Sequence, residues 1–449
     1  MKHIFLSIFL LCVIAVNGFS QQAPPPDSTY NFTVADCINY AYKHQDTVVN
    51  AGLDVKSAEY HVKETIGQGL PQVSGVASFQ DYIKIPTTLI PGEFFNQPGT
   101  FIPLKFGVKY QSNLTVTASQ ILFDPNYLVG LQGRKTYKEL YDRSYTRSKI
   151  DVSVNVTKAY YQVLVGVEQL RLLQLDIDQL KQQADETVAR NKQGFVEKID
   201  VDRITVQYNS LVTKKENSVR LMELGYELLK FQMGMPIQDN LLLKDQLADF
   251  QLEATGADAA NDTTVYRSRI EYSLLETQEK LNEYELKTKK GQFLPKLTAN
   301  ASYSASYQNN SFSDLYSADF PSGYIGLTLN VPIFTGFQHL NQYRQSQITV
   351  LKSQNDLIAA KNGLNLQLSQ ARITYVNGLQ TLNDEKKNRE LAAEILRVSK
   401  IKYEQGVGSS LEVIQAQTAL QDADNTYIQG LYDALVSKVD LDKAYGRIK

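Results

Sequence analysis

Histidine and cysteine are scarce in this 449-residue chain, which contains four His and two Cys. His44, His61 and His339 lie far apart, and no HxxxH or Cys/His spacing typical of a metal site is present. The sequence also lacks a GxSxG nucleophile motif and a glycine-rich phosphate loop. We therefore expect neither an enzyme nor a bound metal or cofactor.

Pairs of carboxylates are present, but they lie in segments whose charges follow a helical pattern. Asp176 with Asp178, and Asp422 with Asp424, are the examples. Pairs of this kind on the polar face of a helix are expected to be solvated rather than catalytic. An enzymatic function is therefore not indicated by the acidic residues either.

Two glycine-containing stretches match each other at a constant separation of 212 residues, and the match extends well beyond the glycines. The matched pairs are Gly194 with Gly406, Asp200 with Glu412, Ala159 with Ala371, and Gly234 with Gly446. Composition alone does not place small and acidic residues in register, so the pattern predicts an internal duplication.

The duplication and the N-terminal sequence predict four parts. Lys2, an apolar run over 4–16 and small residues near Ser20 predict a secretory signal peptide over 1–20. The first repeat is expected over 21–235, a connector over 236–262 and the second repeat over 263–449. The exported chain would keep Cys37 alone, so no internal disulfide is expected. The formal net charge of −2 provides no basic surface for nucleic acid.

In each repeat a Leu-Pro pair, at 70–71 and 294–295, precedes a change from a helical to an alternating hydrophobic period. The alternation predicts strands at about 72–85, 104–120, 297–308 and 323–333. Very long helices are expected at about 127–192 and 338–403, each followed by a shorter returning helix. Val163, Leu170, Ile177 and Ala184 repeat every seven residues, which predicts a coiled-coil seam.

The predicted strands are long, and their polar faces are nearly free of carboxylates. This pattern is more typical of a transmembrane β-barrel than of a soluble sheet. Four strands cannot close a barrel, and an open edge in lipid would leave backbone groups unpaired. The chain is therefore expected to oligomerise, since a dimer would supply eight strands and a trimer twelve.

The order of these features resembles the TolC-type outer membrane efflux proteins. The resemblance rests on the duplicated halves, on the two Leu-Pro pairs, on ILFD at 121–124 against PIFTG at 332–336, and on the spacing YxxGxxSxLEV at 403–413. It covers nearly all of the mature chain.

The resemblance implies an α+β membrane protein built from two repeats, in which a homotrimer forms a twelve-stranded barrel in the outer membrane. A long α-helical coiled-coil barrel would continue into the periplasm. The implied function is passive export as the outer membrane channel of a tripartite efflux pump or type I secretion system. The implied partners are further copies of the chain, a periplasmic adaptor (membrane fusion) protein, an inner-membrane pump of RND or ABC type, and outer membrane lipid.

The same resemblance implies the site residues. Asp200 and Tyr403 match the acidic residue and the tyrosine that close the periplasmic entrance in the family. The family's arginine falls on Gly408, and its two lumenal acidic positions fall on Glu412 and Gln415, so a single carboxylate ring is expected. Adaptor docking is expected at the tips of the helical hairpins, formed by Gly194, Gly406 and Ser409.

Two other functions remain open from the residues. The chain could be a periplasmic coiled-coil scaffold with a soluble β cap and no channel activity. An outer membrane receptor is a third possibility, although the sequence contains no ligand-pocket motif.

Overall fold

The computed structural model describes residues 29–96, 98–247, 250, 252 and 264–448. The predicted signal peptide and much of the predicted connector lie outside these residues. Within them the protein is an α+β structure that is mostly helical, with few strands.

Seven helices are described, and two of them are very long. The helices are α1 (Val34–His44), α2 (Asp46–Gly67), α3 (Pro125–Lys192), α4 (Lys198–Met233), α5 (Ile270–Gly291), α6 (Gln338–Glu404) and α7 (Ser410–Ala444). Local sequence explains several of the helix starts. Thr33 and Asp36 form a capping box before α1, and the Asp124 carboxylate accepts from the Asn126 N–H at 2.8 Å at the start of α3.

Eight strands are described, and they form three sheets. The strands are β1 (Thr29–Phe32), β2 (Gln72–Asp81), β3 (Thr87–Pro91), β4 (Phe101–Lys105), β5 (Tyr110–Phe123), β6 (Asn240–Leu243), β7 (Lys296–Asn309) and β8 (Asp319–Asn330). The largest sheet is antiparallel with the order β2-β5-β7-β8. A hairpin pairs β3 with β4, and β1 pairs in parallel with β6.

The strand predicted over 104–120 is interrupted in the structure. β4 ends at Lys105 and β5 begins at Tyr110, because Gly107 adopts a φ of 123° that breaks the extended backbone between them. The segment expected to be a loop, 87–103, instead forms most of the β3–β4 hairpin. The first and last predicted strands end earlier than expected, at Asp81 and Asn330.

The chain divides into two compact units. The first, called the hairpin unit here, contains the described residues up to Asp46, those within 152–254, and Tyr375–Val439. The second, called the sheet unit, contains the described residues within 47–151, within 255–374 and within 440–449.

The hairpin unit is held together by apolar seams between helices. Five buried residues of α3 and α4 form one cluster, with Ala184 packed against it: Leu173, Ile177, Leu180, Ile204 and Leu211. The predicted coiled-coil seam is confirmed here, since Ile177 and Ala184 both belong to the heptad. A second cluster joins Leu396 of α6 to Val413 and Ala416 of α7.

The four-stranded sheet of the sheet unit has two chemically different faces. On one face, hydroxyl and amide side chains bond across the strands: Ser74 with Thr117 at 2.8 Å, Thr115 with Ser304 at 2.9 Å, and Ser306 with Asn113 at 2.6 Å. On the opposite face, the register places Leu114 beside Ala305, and Val116 beside Tyr303. This face leaves large apolar side chains exposed in the single chain, including Val73, Leu114, Val116, Tyr303, Ile325, Leu327 and Leu329.

Among the described residues, no helix combines the length and the apolar character needed to cross a membrane.

Candidate functional site

Two chain reversals, between α3 and α4 and between α6 and α7, contain four of the eight predicted site residues, and the other four lie in the helices that flank the reversals. At both reversals a glycine adopts the left-handed conformation, with φ 81° at Gly194 and 76° at Gly406. The next N–H reaches back five residues in each case, from Phe195 to the Arg190 carbonyl and from Val407 to the Lys402 carbonyl, both at 3.0 Å. No atom lies within 4 Å of where a Cβ would stand at either glycine, so backbone conformation alone accounts for the residue type.

The start of α7 is organised by two further predicted residues. Ser409 caps the helix, since its Oγ accepts from the Glu412 N–H at 3.2 Å. Gly408 donates its N–H to the Lys402 carbonyl at 3.1 Å. A Cβ at Gly408 would stand 3.0 Å from Lys402 Cβ and 3.1 Å from the Tyr403 nitrogen. The absence of the family's arginine at this position therefore has a local steric reason.

Asp200 lies in the first turn of α4, where a carboxylate is favoured by the helix dipole. It accepts a hydrogen bond from the Ser410 hydroxyl at the start of α7. The Arg203 guanidinium lies 3.6 Å from the same carboxylate oxygen. Asp200 is thus held by one partner from the other reversal and by one from its own helix.

Tyr403 lies in the last turn of α6, and its ring packs against the cluster of Leu396, Val413 and Ala416. The Arg190 guanidinium stands 5.7 Å from the ring centroid, within range of a cation–π interaction. The Tyr403 hydroxyl oxygen is buried and has no hydrogen-bond partner among the described residues. Asp200 and Tyr403, predicted as two members of one closing network, are therefore not hydrogen-bonded to each other within a single chain.

Glu412 and Gln415 are both exposed near the start of α7. They are three residues apart, so they lie on neighbouring positions of one helix face. Within the described residues, neither the Glu412 nor the Gln415 side chain makes a hydrogen bond that would define its role in the single chain. A carboxylate ring from Glu412 would require further copies of the protein.

Ser410 and Arg190 were not predicted from the sequence. Ser410 lies beside the predicted Ser409, but no periodicity distinguishes the serine that caps a helix from the one that reaches Asp200. Arg190 lies four residues before Gly194, and only the folded chain places it over Tyr403.

The prediction that Asp176 and Asp424 are solvated is wrong. Each is only 8% exposed, inside the hairpin unit. Gln417 of α7 donates to Asp176 at 3.4 Å, and Arg389 of α6 donates to Asp424. Burial, with Asp424 as the next cause, raises the pKa of Asp176 to about 6. Charge spacing along one helix could not show this, because the helices that cover these carboxylates come from another part of the chain.

In the described part of the chain, no cluster of three or more His, Cys, Asp or Glu side chains is arranged to hold a metal ion. The side chains at the two reversals instead cap helices, form hydrogen bonds and carry charge. Such groups can position helices and select ions.

Comparison with known proteins shows which proteins this chain is similar to. Residues 274–447 match the model of the family described as outer membrane efflux protein. The chain is 21% identical to the outer membrane protein TolC of Salmonella enteritidis over 351 residues, covering 75% of this chain and 70% of that protein. It is also 21% identical to the alkaline protease secretion protein AprF of Pseudomonas aeruginosa, covering 72% of this chain and 67% of that protein.

The fold is similar to that of the CmeC outer membrane channel of Campylobacter jejuni, with a TM-score of 0.73 and 14% identity over 96% of this chain and 90% of that chain. These similar proteins are outer membrane channels of efflux and secretion systems, which are transport proteins rather than enzymes. The chain is similar to the TolC-type outer membrane efflux proteins, in agreement with the resemblance stated from its sequence. The predicted location, in the outer membrane with an extension into the periplasm, is confirmed by the same relatives.

Proposed function

We propose that this protein is the passive outer membrane channel of a tripartite efflux pump or type I secretion system, and that it works as a homotrimer. The observation that carries the proposal is the two-faced sheet of β2, β5, β7 and β8. Its apolar face is exposed in the single chain, whereas its polar face is bonded internally. A sheet of this kind is suited to lipid on one side and water on the other.

Three copies would bring together twelve strands and remove the unpaired edges of β2 and β8. The trimer would then form a barrel wide enough for an aqueous lumen. In this proposal, export through the barrel depends on a periplasmic adaptor and an inner-membrane pump of RND or ABC type, as the resemblance implies; the similar proteins OpmQ and AprF are named for export and secretion.

The proposed periplasmic entrance consists of Asp200, Tyr403, Glu412 and Gln415, with Gly408 where the family has arginine. Support for a role between copies comes from the Tyr403 hydroxyl, because a buried hydroxyl normally has a hydrogen-bond partner. Three Glu412 carboxylates around one opening would favour cations over anions. The proposed docking tips for the adaptor are Gly194, Gly406 and Ser409.

The channel proposal is tested by reconstituting the detergent-purified protein into planar lipid bilayers. We expect trimers by cross-linking and stepwise conductance. Release of the chain from membranes by salt alone, without conductance, would instead identify a periplasmic scaffold and overturn the proposal.

The orientation of the sheet is tested by a matched pair of arginine substitutions in β8. Ile325→Arg places a charge on the apolar face and should reduce the amount assembled in the outer membrane, since such a charge costs about 2–4 kcal/mol at mid-bilayer. Thr328→Arg lies on the polar face and should assemble while altering conductance. Equal loss of assembly in both variants would contradict the proposed lipid-facing side.

Docking at the tips is tested by a photo-crosslinking residue introduced at Ser409 in cells. It should capture a periplasmic adaptor protein. The same residue at Ser313, an exposed position in the segment between β7 and β8, serves as the control and should not capture it. Capture from Ser313 but not from Ser409 would move the docking surface away from the reversals.

A further inference from the structure

A buried polar layer crosses the apolar interior of the hairpin unit. It consists of Asp176 on α3, Arg389 on α6, and Gln417, Gln421 and Asp424 on α7. Gln417 is only 1% exposed, and the other two α7 residues are each 8% exposed. Asp176 is also 8% exposed, whereas the Arg389 side chain is 37% exposed and lies at the solvent side of the layer. The layer therefore links three helices, and its carboxylates and amides have little access to water.

The two carboxylates of this layer have unequal partners. Asp424 receives a charged hydrogen bond from Arg389, whose guanidinium also stacks 5.3 Å from the Tyr427 ring. Within the part of the chain that the structure describes, Asp176 receives only the amide hydrogen bond from Gln417, at 3.4 Å. A buried carboxylate without a direct cation is costly to keep ionised, so Asp176 is the weak point of the layer.

The other charges facing Asp176 do not neutralise it by contact. They come from every helix packed around it: Asp424 on α7, Arg389 and Lys400 on α6, and Lys214 on α4. Lys400 instead donates to Gln179, at 3.5 Å. On α3 itself, Arg171 is paired with Glu168. Among the described residues, Arg389 is the one cation in contact, so the two carboxylates carry one unit of negative charge in excess.

A small cavity of about 10 Å³ adjoins both carboxylates, and Gln421 and Asn425 also line it. The Gln421 Nε2 atom is buried and has no hydrogen-bond partner among the described residues. An amide N–H is a donor and requires an acceptor, which excludes a metal cation as its partner. A water molecule fits both the volume and the chemistry, because it accepts from Gln421 and donates to carboxylates.

We propose that this layer is a buried proton-binding site, in which one water bridges Gln421 to Asp176 and Asp424, and Asp176 binds and releases a single proton exchanged with solvent. Protonation brings the charge of Asp176, Asp424 and Arg389 together to zero. The neutral layer then packs α3 against α7 without an uncompensated buried charge. Ionisation restores that charge and weakens the same packing.

The sign of the pH dependence follows from the pKa of Asp176, which burial raises from its ordinary 3.8 to about 6. The added stability is fully present below the unfolded pKa near 3.8 and is lost as the pH rises through about 6. Between about pH 5 and about pH 7.5, the titration of Asp176 alone should lower the folding equilibrium constant of the hairpin unit about tenfold.

The layer bears on the proposed entrance because α7 carries both. Gln417 is five residues after Glu412 on one continuous helix. A change in how firmly α7 is held against α3 therefore acts on the helix that begins at the Ser410–Asp200 contact. This consequence rests on the proposed function, whereas the proton site itself does not.

The experiment compares infrared difference spectra of the detergent-solubilised full chain at about pH 5 and about pH 7.5. Wild type should lose a protonated-carboxyl band on the change to the higher pH, and Asp176→Asn should lack that band. Asp178→Asn is the matched control, because Asp178 lies on the same helix, two residues after Asp176, and is exposed. Its spectrum should keep the band. Persistence of the band in Asp176→Asn, or its absence from wild type, would overturn the proposal.

A second variant keeps the test decisive if Asp176→Asn fails to fold. Gln421→Leu removes the donor that holds the water, so the band of Asp176 should titrate at a higher pH than in wild type. An unchanged midpoint would overturn the bridging water. None of these spectra depends on conduction, so a protein that titrates as expected without conducting would contradict the proposed channel alone.

Discussion

The hydroxyl of Ser410 donates a hydrogen bond to the carboxylate of Asp200, across 210 positions of sequence. The two residues stand at the starts of α7 and α4, so the bond joins the two chain reversals of the hairpin unit. Arg203 holds the same carboxylate from its own helix at 3.6 Å. A single acidic side chain thereby links the elements that the proposed entrance depends on.

Replacing Asp200 should loosen this junction. Asp200→Ala removes a hydrogen bond to a charged group, which contributes about 1.5–3 kcal/mol, so openings in planar bilayers should become about tenfold more frequent. Asp202→Ala, at an exposed carboxylate on the same helix, is the control and should behave as wild type. Unchanged conductance and antibiotic entry in the Asp200→Ala/Tyr403→Phe double mutant would contradict a closing role for both residues.

Restoring the family's arginine should not tighten the entrance. Any side chain at Gly408 crowds Lys402 and the Tyr403 nitrogen, so Gly408→Ala and Gly408→Arg should both lower the thermal midpoint, by an amount equivalent to about 1 kcal/mol. The two variants share the Cβ and differ in the guanidinium. A channel that is less leaky in Gly408→Arg than in Gly408→Ala would show that an arginine can act from this position.

The apolar seam between α3 and α4 should dominate the stability of the hairpin unit. Leu180→Ala empties a position that is 2% exposed and should reduce the free energy of unfolding by about 2–5 kcal/mol. Leu175→Ala, on the same helix but 47% exposed, should cost less than about 1 kcal/mol. Denaturant titration of the helical circular dichroism signal measures both, and equal losses would contradict the assigned seam.

Cys37 on α1 should be unreactive in the folded protein. The residue is fully buried, and burial raises the pKa of its thiol to about 12. Since the thiolate is the reactive form, only about one molecule in ten thousand would carry it near pH 8. Mass spectrometry after maleimide treatment should show no adduct on folded protein and one adduct after unfolding in detergent and heat. Rapid labelling of the folded protein would mean that α1 opens readily.

Much of the strand pattern could be predicted because a two-residue period directly reports the two faces of a sheet. Leu114, Val116 and Ala118 alternate with threonines and serines, and these positions lie on opposite faces in the structure. The β3–β4 hairpin could not be predicted in this way. The prolines at 91 and 103 are typical of loops, and the alternation continues past Gly107, where the backbone actually turns away. The β1–β6 pair is four residues long and joins distant segments, so neither strand has a pattern of its own.

The candidate site was only partly predictable for a different reason. Glycine and helix-capping serine have local causes, so Gly194, Gly406 and Ser409 could be recognised from sequence spacing. The burial of Asp176 depends on α6 and α7, which approach it from more than 200 residues away. The position of Arg190 over Tyr403 likewise depends on tertiary packing. A helical charge pattern reports which residues share a face, and it does not report which face another helix will cover.

The hydroxyl and amide groups on the polar face of the four-stranded sheet already bond to one another across the strands, as Thr115 does with Ser304. In the proposed channel, these cross-strand bonds would already use part of the hydrogen-bonding capacity that the wall could offer to a passing solute. Contact times with the wall should therefore be brief and similar for chemically unlike solutes. In the proposed channel, selection among exported solutes would therefore depend on the proteins that deliver them.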